Sequence, residues 1–298
     1  MSDFLQLCFA GLALGSRYAL VALGFVVIYK ASGVINFAQG ALVTLGAYLA
    51  FNFNQTWDLP FALSLLMAVA TGALVGVIVQ RLLLGRMVGR PVFAVIMITI
   101  GLLFVLDQAM PSIWGYDALD LGDPWGIDTV DVGGVVLAVK DLWTIGLAGV
   151  VLLGFFLFFR YSRMGVAMRA SALDQEAALA RGISVRRVFA WSWGIAGGVA
   201  ALAGVTLGSG PAAVTPSLGL IALAAFPAMI LGGLDSPKGA VIGGLVIGVT
   251  QTLTAGYQPK YAAFLGNNFY AVMPYVVMIA ILLIRPYGLF GTKEVQRL

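Results

Sequence analysis

Residues 4–29, FLQLCFAGLALGSRYALVALGFVVIY, are apolar apart from Gln6, Ser16 and Arg17. A helix rises about 1.5 Å per residue, so about twenty such residues cross a hydrocarbon core of about 30 Å. The run is longer than the apolar region of a secretory signal, and Asp3 rather than a basic segment precedes it, so it is expected to be kept as a helix. Comparable runs recur at about 36–51, 60–80, 92–113, 142–160, 188–209, 217–234, 239–257 and 267–285. Of the 298 residues 61% are hydrophobic and 10% charged, whereas a soluble domain carries about a quarter charged residues. A membrane-spanning barrel would need alternation over about ten residues per strand, and these runs are continuous. The expected fold is an all-α polytopic integral membrane protein with eight to nine spans, forming one transmembrane domain over residues 1–298. Eight is the alternative because 36–51 is short and broken by glycine and polar residues, so it can enter and leave on one side.

Charge sets the expected orientation. Lys30, then Arg81, Arg86 and Arg90, then six arginines between residues 160 and 187, then Arg285, Lys293 and Arg297 fall in alternate connections, as cytoplasmic segments do. The amino terminus is then outside and the carboxyl terminus in the cytoplasm. The acidic 114–141 loop lies outside, and membrane lipid is the surrounding partner. Nothing in the composition points to a nucleic-acid partner. Cys8 is the single cysteine and histidine is absent, which excludes internal disulfides and His/Cys metal sites.

Small residues recur four apart at Gly11 and Gly15, Gly72 and Gly76, Gly194 and Gly198, Gly204 and Gly208, Gly239 and Gly243, and Gly244 and Gly248. Such spacing lets helix backbones approach closely where lipid supplies no hydrophobic drive. Residues 33–48, GVINFAQGALVTLGAY, and 232–248, GGLDSPKGAVIGGLVIG, each set a polar turn and Gly-Ala ahead of a helix. Matching stretches of this kind mark repeat-built transporters, and an internal repeat is one reading of the pair.

Polar groups within spans are costly and are candidates for the translocation pathway. Asn36 and Gln39, beside Phe37 and Gly40, stand where a helix begins and either face a polar solute or cap that helix within the bundle. Asp107 and Gln108 lie in the outer half of the fourth span, where Asp107 lines the pathway or pairs internally. Arg17 either snorkels outward or pairs with an acid such as Asp107. Gly208–Ser209–Gly210–Pro211 and Thr215–Pro216 break the chain after the sixth span, as a turn or a gate.

The segment from 160 to 187, RYSRMGVAMRASALDQEAALARGISVRR, is too patterned for a mere connector. Asp174 can cap a helix through Glu176, Ala177, Ala178, Leu179 and Ala180 that stops at Gly182. Small side chains suit a groove on a soluble partner, and Glu176, one of two glutamates in the chain, can pair with a cation there. The alternative is a basic loop that fixes topology and meets anionic lipid. The chain has no G-x-x-x-x-G-K-[ST] loop to cradle nucleotide phosphates, so no cofactor is expected on it and ATP, where used, is held by partner subunits. No nucleophile with a base and no acid pair suggests an enzyme.

Glu176-Ala177-Ala178 followed by Gly182 resembles the EAA coupling loop of ABC importer permeases. Its flanks, Arg160-Tyr161-Ser162-Arg163-Met164-Gly165 and Gly182-Ile183, resemble the branched-chain amino acid permeases in particular. So do Gly33-Val34-Ile35-Asn36-Phe37-Ala38-Gln39-Gly40, residues 231–244 and Arg285-Pro286-Tyr287-Gly288-Leu289-Phe290-Gly291; Gln39 stands where that family commonly has histidine. The resemblance implies the permease subunit of an importer in a bacterial plasma (inner) membrane, moving branched-chain or similar small amino acids by alternating access. It implies cytoplasmic ATPase subunits docked on the Glu176 loop, a second permease subunit, the same or related, and an extracytoplasmic solute-binding protein. Urea, short amides and aromatic acids are the alternative cargoes, and an ion-coupled secondary transporter working through Asp107 and Arg17 is the rival mechanism.

Overall fold

The computed structural model describes residues 2–87, 90–209, 213–266 and 268–292. Lys293, Arg297, Gly210 and Pro211 therefore lie outside the described residues. Helices stand at all nine expected places: α1 Ser2–Ser32, α2 Gln39–Phe51, α3 Phe61–Leu82, α4 Val92–Trp114, α5 Val139–Tyr161, α8 Val185–Gly208, α9 Ile221–Gly232, α10 Pro237–Tyr261 and α11 Phe269–Ile284. Two further helices, α6 Arg163–Leu173 and α7 Gln175–Ala180, fill the loop between α5 and α8.

Among the described residues six helices are long and apolar enough to cross a membrane: α1, α3, α4, α5, α8 and α10. Against the eight to nine spans expected, six of the described helices thus have full length. α9, extended by a 3-10 turn over Pro216–Leu220, and α11 are shorter apolar helices. α2 runs for 13 residues and continues as a π-helical turn, Asn52–Thr56. Most of α2 is buried in protein, so its length need not match the bilayer.

The chain divides into two compact units. The first comprises residues 1–26, 125–148 and 223–298; the second, residues 27–124 and 149–222. In the second unit α8 is the central helix, with 83% of its most apolar window buried. Its small residues explain this. A Cβ on Gly72 of α3 would stand 2.8 Å from the carbonyl oxygen of Gly197, and one on Gly46 of α2 would stand 2.8 Å from the Ala201 Cβ. Gly76 faces Trp193 and Gly204 faces Val43 in the same way. Backbone-to-backbone packing of this kind replaces the hydrophobic drive that lipid removes.

The first unit uses the same device. A Cβ on Gly11 or Gly15 of α1 would stand 2.7 Å from the Cα of Val249 or Leu245 on α10, and Gly243 packs on Ala228 of α9. Here also the acidic loop forms a feature the hydropathy reading missed. Strands β1 Thr129–Val132 and β2 Val135–Ala138 pair antiparallel, with Val132 opposite Val135. Gly133 and Gly134 form the two-residue turn with φ of 64° and 82°, positive at both positions as a primed hairpin turn requires. The Gly-Gly pair between valine-rich segments was its sequence signal.

Candidate functional site

The coupling segment is built from its caps. Ser162 opens α6 by accepting from the Gly165 amide at 2.8 Å. Arg169 reaches back to donate to the carbonyls of Phe159, and of Arg160 at 3.3 Å, and its guanidinium lies over the Phe159 ring. A cation on the last carbonyls of α5 complements the negative end of that helix and fixes α6 to it. Gly165 permits this, because a Cβ there would stand 2.6 Å from the Phe158 carbonyl oxygen.

α7 is closed at both ends. The Asp174 carboxylate accepts from the amides of Glu176 and Ala177, each at 2.9 Å. At the other end Ile183 donates to the Ala178 carbonyl at 3.0 Å and Gly182 to that of Leu179 at 2.9 Å. This is a Schellman stop, and it needs the left-handed φ of 80° that Gly182 adopts. Ala178 is buried and holds the helix down, while Glu176, Ala177 and Leu179 are exposed. Sequence reasoning found Glu176, Ala177, Ala178 and Gly182 and placed Leu179 in the helix, but it gave Leu179 no contact role and passed over Leu173. Leu173 and Leu179 are 89% and 56% exposed and add apolar area to the same surface.

The amino-terminal motif forms a linked polar corner in the same unit. Asn36 accepts from the Ala38 amide at 3.0 Å and donates to Gln39 Oε1 at 3.2 Å. Gln39 in turn donates to the Ala196 carbonyl at 3.3 Å, and the Phe37 amide donates to Thr99 Oγ1 at 3.3 Å. Gly40 lies against Gly219 so closely that a Cβ would stand 2.6 Å from its carbonyl oxygen. Both amide side chains thus cap and brace α2, and Asn36 in addition lines a cavity of about 230 Å³. Its other polar lining residues are Ser32, Gln80, Arg90, Thr99 and Gln175, and its apolar walls include Phe189 and Trp193. Gln175 is the first residue of α7, so the amino-terminal motif and the coupling helix border one space.

The remaining two motifs meet in the first unit. Leu289 and Phe290 donate to the carbonyls of Leu231 and Gly232 at 2.8 and 3.0 Å, and Thr292 bonds to the Asp235 carboxylate. Ser236 then caps α10 by accepting from Gly239 at 3.1 Å. Four stretches far apart in sequence therefore pair two by two, one pair in each unit.

Asp107 and Gln108 stand apart from the cavity. Asp107 is exposed on α4, and Gln108 donates to the Tyr116 hydroxyl at 2.8 Å. For Arg17, expected to snorkel or to pair with an acid such as Asp107, the structure gives a different acid. Its guanidinium lies 3.6 Å from Asp141 and 3.4 Å from the Thr144 hydroxyl, both on the first turns of α5. Asp141 falls one residue before the expected span at 142–160, in the expected outer loop, whereas the structure places it in the first turn of α5.

The chain matches the family model described as branched-chain amino acid transport system / permease component over residues 7–282. It belongs to that family. The permease is 32% identical to the high-affinity branched-chain amino acid transport system permease protein LivH of Escherichia coli, with 99% of this chain and 97% of that protein covered. It is 29% identical to BraD of Pseudomonas aeruginosa, described in the same words, with 99% and 98% covered. Among solved structures it is similar to a chain of PsaBC from Streptococcus pneumoniae in complex with Fab. That match has a TM-score of 0.49 and 16% identity, covering 93% of this chain and 90% of that one. The matched span reaches from α1 into α11, so it embraces both units and three of the four motifs, and Arg285–Gly291 follows it.

Proposed function

We propose that the permease is the membrane-spanning subunit of an ATP-driven importer for branched-chain or similar small amino acids, and that α7 is its coupling element. The observation that carries this is the geometry of α7. It is a short helix capped by Asp174, stopped by Gly182, anchored by Ala178 and by the Arg169 clamp on α5, with Glu176 and Leu179 exposed on it and Leu173 exposed at the end of α6. A lever needs that combination of stiffness, attachment and exposed contact surface. The ATPase subunits receive it in a cleft, and their closure on ATP moves α6 and α7, and with them α5 and α8, between inward-facing and outward-facing arrangements.

ATP is held by the partner subunits. A second permease, identical or related, completes the passage, and an extracytoplasmic binding protein delivers the solute. The exposed Asp107 on α4 supports this, because a carboxylate within a span must face water or another protein rather than lipid. The protein lies in a bacterial plasma membrane with the arginine-rich α6–α7 side in the cytoplasm.

The test is reconstitution. Proteoliposomes containing the permease, its partner permease, the ATPases and the binding protein are expected to take up leucine only with ATP inside the ATPase compartment. Uptake by the chain alone, driven by a proton or sodium gradient, would overturn the importer reading in favour of an ion-coupled carrier.

A further inference from the structure

The cavity beneath α7 is more than a packing fault. Three of its polar side chains are essentially buried: Asn36 is 0% exposed, Thr99 1% and Gln80 2%. Asn36 and Thr99 spend their groups on the α2 corner, but the Gln80 amide forms no hydrogen bond to the described residues, so its donors and acceptor open only onto the cavity. With no partner among the described residues, that amide takes its hydrogen bonds from whatever fills the cavity. At the rim stands Arg90, exposed, and two residues on, Val92 begins α4 with no side-chain cap. An uncapped helix amino terminus beside a guanidinium is electropositive. No aspartate or glutamate is among the described lining residues, while Ile28, Val95, Phe189 and Trp193 make an apolar wall. The volume, about 230 Å³, is below the roughly 300–1,000 Å³ of sites for drug-sized ligands, which leaves room for a small metabolite.

We infer that this cavity binds a small carboxylate with a branched apolar body, about the size of a branched-chain amino acid or its 2-oxo acid, entering from the side that carries the α6–α7 loop. The carboxylate pairs with Arg90 at the rim, the Gln80 amide meets the ligand's inner polar group, and the hydrocarbon lies against Phe189 and Trp193. Gln175, the first residue of α7, borders the same space, so occupancy bears on α7 and sets how readily it moves. That regulatory consequence rests on the coupling role proposed for α7; the binding does not.

The experiment measures binding of 4-methyl-2-oxopentanoate, leucine and leucinol to the full chain purified in detergent without any binding protein. The two carboxylates are expected to bind and to compete with each other, and leucinol, which lacks the carboxylate, is not. Arg90→Gln, at an exposed position that folding does not require, weakens binding by about tenfold, the loss expected for one charge-assisted hydrogen bond, and Arg90→Lys restores part of it. Gln80→Leu and the filling substitution Val95→Phe weaken it independently. Equal binding of leucinol and leucine, or affinity unchanged in Arg90→Gln and Gln80→Leu, would overturn the site, as would no saturable binding, which marks a water-filled void only. In the assembled importer the same ligands, added on the ATPase side, change basal ATP hydrolysis in the wild type and not in Arg90→Gln. Binding without that change overturns the regulatory half alone, and a failure of the importer itself would leave the detergent measurement readable.

Discussion

Arg17 and Asp141 define what a single pair of side chains does in this protein. Two charges within spans are tolerable only together, and at 15% and 23% exposure they are largely withdrawn from solvent. Asp141→Asn leaves the guanidinium without its counter-charge and is expected to cost about 1–3 kcal/mol of stability, read as a lower melting temperature in detergent. The double replacement Arg17→Met with Asp141→Leu is expected to cost less than the single one, because it removes both charges at once. A larger loss in the double variant would show that the pair does more than neutralise itself. The sequence marked Arg17 as needing a partner but could not choose Asp141. Pairing across more than one hundred residues depends on how α1 and α5 pack, and no local pattern encodes that. Asn36 and Gln39 were legible for a different reason: a cap is a local bond, and Asn36 bonds to residues two and three positions on.

At the scale of the element, helix identity was written in hydropathy and helix packing in glycine. All nine apolar runs are helices, with ends set by caps that the sequence carries, Ser184 for α8 and Ser236 for α10 among them. The lengths of α2, α9 and α11 were less legible, since a helix covered by protein is freed from the bilayer's length requirement. The glycine spacing was equally informative. Gly15→Leu in α1 or Gly76→Val in α3 drives a side chain into the backbone of α10 or α8 and is expected to prevent recovery of monodisperse protein. Gly149→Ala in α5, where nothing lies within 4 Å, is expected to change stability by less than about 1 kcal/mol. If both classes behave alike on size-exclusion chromatography, close packing is not what these glycines provide. For α7, Asp174→Ala removes two cap bonds and is expected to cost about 1 kcal/mol of local helix stability. The reading is a fall in transport per ATP hydrolysed with the overall melting temperature nearly unchanged.

Across the whole molecule, charge placement carries the orientation and the four motifs carry the division of labour. The amino-terminal motif and the coupling helix border one cavity, and the other two motifs lock the start of α10 to the chain after α11. The motifs themselves were legible; their pairing was not, because it is made by backbone hydrogen bonds and by a space, neither of which leaves a periodic trace. Orientation is testable with little disturbance because Cys8 is the only cysteine. In a Cys8→Ser background, Leu173→Cys is expected to react with an impermeant maleimide only from the cytoplasmic side and Asp117→Cys only from the outside. The reverse labelling would place α7 out of reach of any cytoplasmic ATPase.

The most direct test of the coupling role is to measure leucine uptake and substrate-stimulated ATP hydrolysis together, in proteoliposomes of the assembled importer, for the wild type and Glu176→Ala. The variant is expected to assemble in the membrane but to lose uptake by at least about tenfold, with hydrolysis either lost or no longer responsive to substrate. Uptake and stimulated hydrolysis both at wild-type levels would contradict that role, and α7 would then be an ordinary basic loop on the membrane surface.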